Sequence, residues 1–377
     1  MVLEKIRNEY DVLPSQNKAI AQWKKEGGKV FGYMCTNFPE ELIYAAGILP
    51  VRLVGKPIDI IEANEHFSIY MCHYARSLLE LGLMGEYACL DGIVSAFGCE
   101  GSCNLFQVLG LAVPFDFFEF SYTPHNAKTD AARNFYIKEL YGFKQRLEEY
   151  IGHAISSDDI FHAVDVYNEN RRLLREMYDL RGLSNNPPVS GKEMGEVLYW
   201  DMSTSKHTAN ETLKLLITEL KESRKEHQFS GPRIHLSGSM IPDLEIYETI
   251  EEIGGMVVSD DLCLGSRYFW KDTNRTFDPI FGLAQSHLEC IPCSCMCSEK
   301  VAEDRTAHIR NLIRRYKVDG VVFAIYKWCD PNQMDRPDMM RELEENGVPV
   351  LSLEMEKTLG AAQHRTRLEA FFEVLRR

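Results

Sequence analysis

The stretch Glu289-Cys290-Ile291-Pro292-Cys293-Ser294-Cys295-Met296-Cys297 places four thiols within eight residues, interrupted by a proline and by small or flexible side chains. Neither a regular helix nor a buried strand needs that composition. A cysteine used as a core residue normally sits singly on an apolar face. A cluster of this kind points to soft-metal or iron–sulfur ligation, to redox exchange, or to a disulfide scaffold.

The other cysteines bear on that choice. Cys35, Cys99, Cys263 and Cys329 each follow a short apolar run that reads as a β-strand, and Cys72 lies at the mouth of a helix. In open α/β sheets, ligands bind at the carboxyl ends of strands. Cys72 and the Cys290–Cys297 stretch lie in loops able to reach that same edge. Cys89, just before a strand, reads as an ordinary buried thiol. Tetrahedral zinc sites usually show paired C-x2-4-C knuckles, and only the region of Cys293 supplies close pairs. A disulfide between Cys293 and Cys295 would be strained. Thiols dispersed over loop tips suit an iron–sulfur cluster held between two domains, and a site with three thiolates can leave one iron open for chemistry.

Composition narrows the setting. The chain has 377 residues, enough for two or three domains. Its net charge of -14 disfavours nucleic acid and anionic membrane as partners. No apolar run reaches membrane-spanning length. Met1 to Tyr10 is charged and lacks the apolar core of a signal peptide, so a cytoplasmic, reducing location is expected. There, eleven cysteines speak for metal or redox chemistry rather than a disulfide framework. No G-x-x-x-x-G-K-[ST] loop is present, so the chain is not expected to hydrolyse ATP itself.

The elements that must hold these thiols alternate as in an α/β fold. Val30 to Met34 reads as a strand ending at Cys35. Pro39-Glu40-Glu41 opens a helix through Ala46, with proline at the first turn and acids near its positive end. Leu49 to Val54 is the next strand. Cys72 then opens a helix to Leu81. Leu90 to Phe97 reads as a buried parallel strand leading to Gly98-Cys99. Val113 to Phe120 is a further strand, and Thr129 to Ile151 a long amphipathic helix. From 152 to 229 the pattern is helical, with capping boxes at Ser156/Asp159 and Ser190/Glu193, and reads as a spacer or lid.

Alternation resumes with strands at Ile234 to Leu236, Met256 to Val258, Gly320 to Tyr326 and Val348 to Leu353. Helices are expected over Asp243 to Ile253, Val301 to Tyr316 and Ala361 to Arg376. Ser237-Gly238-Ser239 reads as a tight turn. Glu40 and Glu41 lie near enough to Cys35 to carry protons, but as helix-start acids they already have a structural explanation. His73 reads as a structural histidine. The expected division is an N-terminal α/β domain over 1–151, a helical segment over 152–229 and a C-terminal α/β domain over 230–377.

Several of these segments together resemble a known family. Gly32-Tyr33-Met34-Cys35-Thr36-Asn37-Phe38-Pro39-Glu40-Glu41-Leu42-Ile43 with Ala45-Ala46-Gly47, then Cys72, Cys99 and Trp328-Cys329-Asp330-Pro331, are similar to the 2-hydroxyacyl-CoA dehydratase and benzoyl-CoA reductase family. The similarity runs over nearly the whole chain. It implies two flavodoxin-like (Rossmann-like) parallel-sheet domains with a helical part between them, a dimer, and a [4Fe-4S] cluster on Cys72, Cys99 and Cys329. It also implies a separate ATP-hydrolysing iron–sulfur activator protein that supplies low-potential electrons.

Within that family the chain resembles the double-cubane cluster proteins. The resemblance then implies an [8Fe-9S] cluster with three further ligands, Cys35, Cys263 and one of Cys293 and Cys295, the latter taken for the metal. Cys103, Cys290 and Cys297 are additional to that pattern. The function implied is a reductase component acting on a small molecule, as a homodimer. The alternative is a 2-hydroxyacyl-CoA dehydratase subunit with one [4Fe-4S] cluster, eliminating water through a ketyl radical.

Overall fold

The computed structural model describes residues 1–223, 229–289, 293–296, 301–357 and 361–376. Cys290 and Cys297 lie outside them. Two four-stranded parallel sheets carry the fold. The first contains β1 (Val30–Tyr33), β2 (Leu49–Arg52), β3 (Gly92–Ala96) and β4 (Phe117–Ser121), in the order β2-β1-β3-β4. The second contains β5 (Arg233–Gly238), β6 (Met256–Asp260), β7 (Gly320–Tyr326) and β8 (Val350–Met355), in the order β6-β5-β7-β8. The expected α/β class with two flavodoxin-like sheets is therefore what the chain adopts.

Burial explains which runs became strands. Every residue of β1, β2, β3 and β7 is buried, as parallel strands covered by helices on both faces require. The outer strands β4 and β8 show exposed positions. In each sheet the chain leaves the first strand for one neighbour and then crosses to the other side, so the switch of direction falls between β1 and β3, and between β5 and β7. Such a switch point opens a crevice at the strands' carboxyl ends. One apolar core joins the two sheets, with Val30, Leu49 and Ile93 from the first and Ile234, Val257 and Val322 from the second. Gly238 is required where β5 meets β7, because a Cβ there would stand 1.9 Å from the Ala324 carbonyl oxygen.

The helices Ser157–Gly182, Gly191–Asp201 and Lys206–Glu222 pack around Leu174, Met177, Trp200 and Leu213. The first helix of the chain, Val2–Glu9, joins them through Ile6. Both expected capping boxes form, with Asp159 N–H donating to the Ser156 hydroxyl and Glu193 N–H to that of Ser190.

Three helices of ten residues or more, besides the single turn Ala63–His66, were not expected from the sequence. Glu100–Ala112 follows Cys99, Pro279–Leu288 follows Asp278, and Asp330–Glu345 follows Cys329. The last two carry legible start signals, Asp278-Pro279 and Asp330-Pro331. Gly101-Ser102 at the start of the first, and Pro337 inside the third, argue locally against a helix, and tertiary packing overrides them.

Replacing Ser190 by alanine removes one half of a capping box and is expected to cost about 1 kcal/mol. The thermal midpoint followed by circular dichroism should fall by a few degrees, with the spectrum of the folded protein unchanged.

Candidate functional site

Seven thiols line one cleft between the two sheets: Cys35, Cys72, Cys99, Cys263, Cys293, Cys295 and Cys329. Every cysteine that the sequence pattern marks as a candidate ligand, within the described residues, is thus brought to one place. All nine described cysteines are free thiols. Cys103 is buried nearby on the helix after Cys99, and Cys89 packs beside the core; neither lines the cleft.

The backbone arranges these sulfurs in a consistent way. Cys35 follows β1 and Cys99 follows β3, at the switch point of the first sheet. Cys263 follows β6 and Cys329 follows β7 in the second. Cys72, Cys99 and Cys329 are moreover the N-cap residues of helices His73–Leu83, Glu100–Ala112 and Asp330–Glu345. Free N–H groups of a helix's first turn favour negative charge. Accordingly the N–H groups of Tyr74 and Ala75 favour the thiolate of Cys72, that of Ser102 favours Cys99, and that of Asn332 favours Cys329.

Side chains fix the sulfurs further. Asn332 Nδ2 donates to Cys329 Sγ at 3.3 Å, and Arg267 Nη1 donates to Cys263 Sγ at 3.2 Å. Arg267 Nη2 donates to Asp261 at 2.8 Å, Arg305 Nη2 stands 3.5 Å from the same carboxylate, and Arg305 Nη2 also donates to Asn332 Oδ1 at 3.2 Å. A polar chain therefore runs behind the cleft from Cys263 to Cys329. Across the cleft, the Thr36 hydroxyl donates to the Cys263 carbonyl at 3.3 Å and ties the loop after β1 to the loop after β6. Ser239, in the expected tight turn after β5, faces Cys329 as well.

The thiols form two overlapping groupings. Cys72 feels Cys329 and Cys99, and Cys329 feels Cys99. Cys35 feels Cys293, and Cys263 feels both, while Cys99 also acts on Cys35 and is itself acted on by Cys293. Cys295 links the sets, in hydrogen-bond contact with Cys99 and Cys293. Burial pushes the thiols of Cys35 and Cys329 up to about 11, and that of Cys72 higher. The contact from Cys295 lowers Cys99, and that from Cys263 lowers Cys293.

A second cluster occupies the far wall. Glu40 and Glu41 begin the helix Glu40–Ala45, as expected, yet both are buried and line the cleft. Tyr33 and Tyr167 donate to Glu40 at 3.1 and 3.0 Å. Burial raises the Glu40 carboxyl. Glu41 accepts from Arg171 at 2.6 Å and from Thr273 at 3.1 Å, and His287 Nε2 lies 3.6 Å from its second oxygen. Burial alone would raise Glu41, but Arg171 and His287 outweigh it and hold the carboxyl well below the usual range.

Sequence reasoning missed Arg171 and Tyr167, since one helical face among several gives no chemical signal. It also missed Arg52, although an arginine inside the apolar run Leu49 to Val54 was a visible anomaly. His73 is buried against Tyr326 beside the cleft, and burial lowers its imidazole.

Among the described residues, no group of three or more His, Cys, Asp and Glu side chains is disposed to hold a single metal ion, and no helix is long and apolar enough to cross a membrane. The chain belongs to the family described as 2-hydroxyglutaryl-CoA dehydratase, D-component, whose model matches residues 35–375. It is 29% identical to one of the subunits of benzoyl-CoA reductase from Thauera aromatica, over 92% of this chain and 90% of that one. It is 27% identical to the (R)-phenyllactyl-CoA dehydratase beta subunit of Clostridium sporogenes over 99% of each. Identity to the beta subunit of (R)-2-hydroxyglutaryl-CoA dehydratase from Acidaminococcus fermentans is 27%, over 97% of each chain. These relatives are named as subunits of dehydratases and of a reductase, and the chain is a member of that enzyme family.

Glu41 offers a test of the far wall. A carboxyl whose folded pKa is depressed adds stability that is complete above the ordinary glutamate range, about 4.3, and is lost as pH falls toward the folded value. Glu41→Gln leaves Arg171 buried without its charge partner and is expected to cost about 3–5 kcal/mol at neutral pH. The difference between variant and wild type, measured by denaturant unfolding, should narrow as pH is lowered below about 4. A difference independent of pH would mean that the charge of Glu41 does not matter.

Proposed function

We propose that this chain is an iron–sulfur reductase component that receives low-potential electrons from an ATP-hydrolysing iron–sulfur activator protein and passes them to a small substrate. The observation that carries this reading is the convergence of seven sulfurs, buried or half-buried and drawn from both sheets, in one cleft. The donor set fits a sulfide-bridged iron cluster: soft thiols on rigid strand ends and helix N-caps. Without a cation the set is poorly matched to its surroundings. Burial alone keeps Cys35 and Cys329 protonated at neutral pH, whereas bound iron would stabilise the thiolates.

The two sets of thiols support a double cubane, [8Fe-9S], with Cys72, Cys99 and Cys329 on one half and Cys35, Cys263 and Cys293 on the other. The hydrogen-bond contact of Cys293 with Cys263, and its influence on the charge of Cys35, favour it over Cys295 as the sixth ligand, and Cys295 touches both Cys99 and Cys293. Such a cluster, when bound, supplies single electrons at low potential. The chain's own groups hold it, shield it from water, and keep a carboxyl at the cleft wall. Glu40, held by two phenols and raised by burial, is placed to keep and pass a proton. Since one chain carries both sets, a homodimer is the simplest assembly.

A second reading is favoured by the names of the relatives: a 2-hydroxyacyl-CoA dehydratase subunit with a single [4Fe-4S] cluster on Cys72, Cys99 and Cys329, eliminating water by way of a ketyl radical.

Anaerobically purified protein separates the two readings by its iron and sulfide. About eight irons per chain are expected for the first, about four for the second. Cys99→Ala or Cys329→Ala should abolish the brown chromophore and most of the iron under either reading. Full iron and sulfide in either variant would overturn the ligand assignment.

A further inference from the structure

Arg52 ends β2, directly beside Tyr33 of β1 in the sheet register, and Cys35 follows Tyr33 by two residues. Its guanidinium lines the cleft and is 3% exposed. Among the described residues, its Nε and Nη1 have no hydrogen-bond partner. Its Nη2 meets only the sulfur of Met240, at 3.5 Å, and its plane lies 5.3 Å from the centre of the Tyr33 ring. An arginine this buried is almost always paired with an anion. Burial works against its charge, and the phenols of Tyr74 and Tyr33, then the thiols of Cys35 and Cys263, favour it.

The other arginine near these sulfurs, Arg267, donates to Cys263 and is paired with Asp261, which it shares with Arg305, whereas Arg52 has no carboxylate partner among the described residues. On the opposite set, the strongest influences on Cys72, Cys99 and Cys329 are burial, other thiols and neutral donors. The helix N-termini there carry about half a charge each, and capping already answers part of it. Arg52 carries a whole, unanswered charge. Tyr70 and Trp328, within two residues of Cys72 and Cys329 in the chain, are exposed and meet edge to face.

Resting on the two-cubane reading above, we infer that Arg52 is the counter-ion of the anionic half held by Cys35, Cys263 and Cys293, and makes that half easier to reduce than the half on Cys72, Cys99 and Cys329. A fixed cation stabilises the state with one more negative charge, and so raises the reduction potential. An external one-electron donor of low potential, such as an iron–sulfur protein or dithionite, supplies the electron. The donor is oxidised by one electron, the cluster gains one, and no bond is made or broken. Arg52 is a positioning residue for charge and touches no reacting bond.

The test is an EPR-monitored redox titration of anaerobic, cluster-loaded protein with dithionite, for wild type, Arg52→Met and Arg52→Lys, each with iron and sulfide counted. Arg52→Met should shift the more easily reduced signal to lower potential by at least about tenfold in its oxidised-to-reduced ratio, or about 59 mV for one electron. Arg52→Lys should keep most of the wild-type potential. Loss of iron in Arg52→Met but not in Arg52→Lys would also support the counter-ion role. An unshifted potential at full iron content overturns the inference alone. So does loss of iron in both variants, which would make Arg52 a purely structural residue. A wild-type count of about four irons would overturn the two-cubane reading, and the inference with it.

Discussion

The dominant constraint on this molecule is the cost of gathering sulfur in a dry cleft. A buried thiol loses its proton only when something nearby compensates the charge. The fold meets part of that cost with its backbone. Three of the seven sulfurs cap helices whose first-turn N–H groups favour their thiolates. Asn332, Arg267 and Ser239 add side-chain donors around the same sulfurs. Each of these donors is itself anchored: Asn332 by Arg305, Arg267 by Asp261, and Ser239 by the N–H of Tyr326 at 3.2 Å. The arrangement holds the sulfurs in place through hydrogen bonds rather than through disulfides.

Charge placement across the cleft follows from the same constraint. The sulfur side is ringed by arginines and neutral donors, and the carboxylates are kept on the wall formed by the helix Glu40–Ala45. There, Glu41 is neutralised by Arg171 from the helix Ser157–Gly182. The helical region between the sheets is thus more than a spacer, since it supplies one of the cleft's fixed cations and the phenol of Tyr167.

The thiols could be singled out from the sequence because strand ends are easy to find when the strands are buried on both faces. β1 and β7 are uninterrupted apolar runs and β3 is broken only by Ser95, and each delivers a cysteine within three residues of its end. The helix starting at Glu100 was not legible, because cysteine is not among the usual capping residues and only two residues separate that cap from the end of β3. The far wall was hidden for another reason. Glu40 and Glu41 satisfy a local rule about helix starts so completely that nothing in the local pattern signals their burial. Only tertiary packing brings Arg171 and His287, from far along the chain, against them.

The matching strand orders of the two sheets give the site its logic. Cys99 after β3 and Cys329 after β7 are topologically equivalent, and both cap the helix that follows. Cys35 after β1 corresponds to Ser239 after β5, so one position carries a thiol in the first half and a hydroxyl facing a thiol in the second. Cys72, between β2 and β3, corresponds to the Cys293–Cys295 segment between β6 and β7. Cys263, three residues past the end of β6, has no sulfur counterpart past β2, and β2 ends in Arg52 where β6 ends in Asp260. A cleft built from two like halves would surround its contents evenly. Here the halves differ at matching positions, a thiol against a hydroxyl after β1 and β5 and an arginine against an aspartate at the ends of β2 and β6, so the two sides of the cleft present different charges to it.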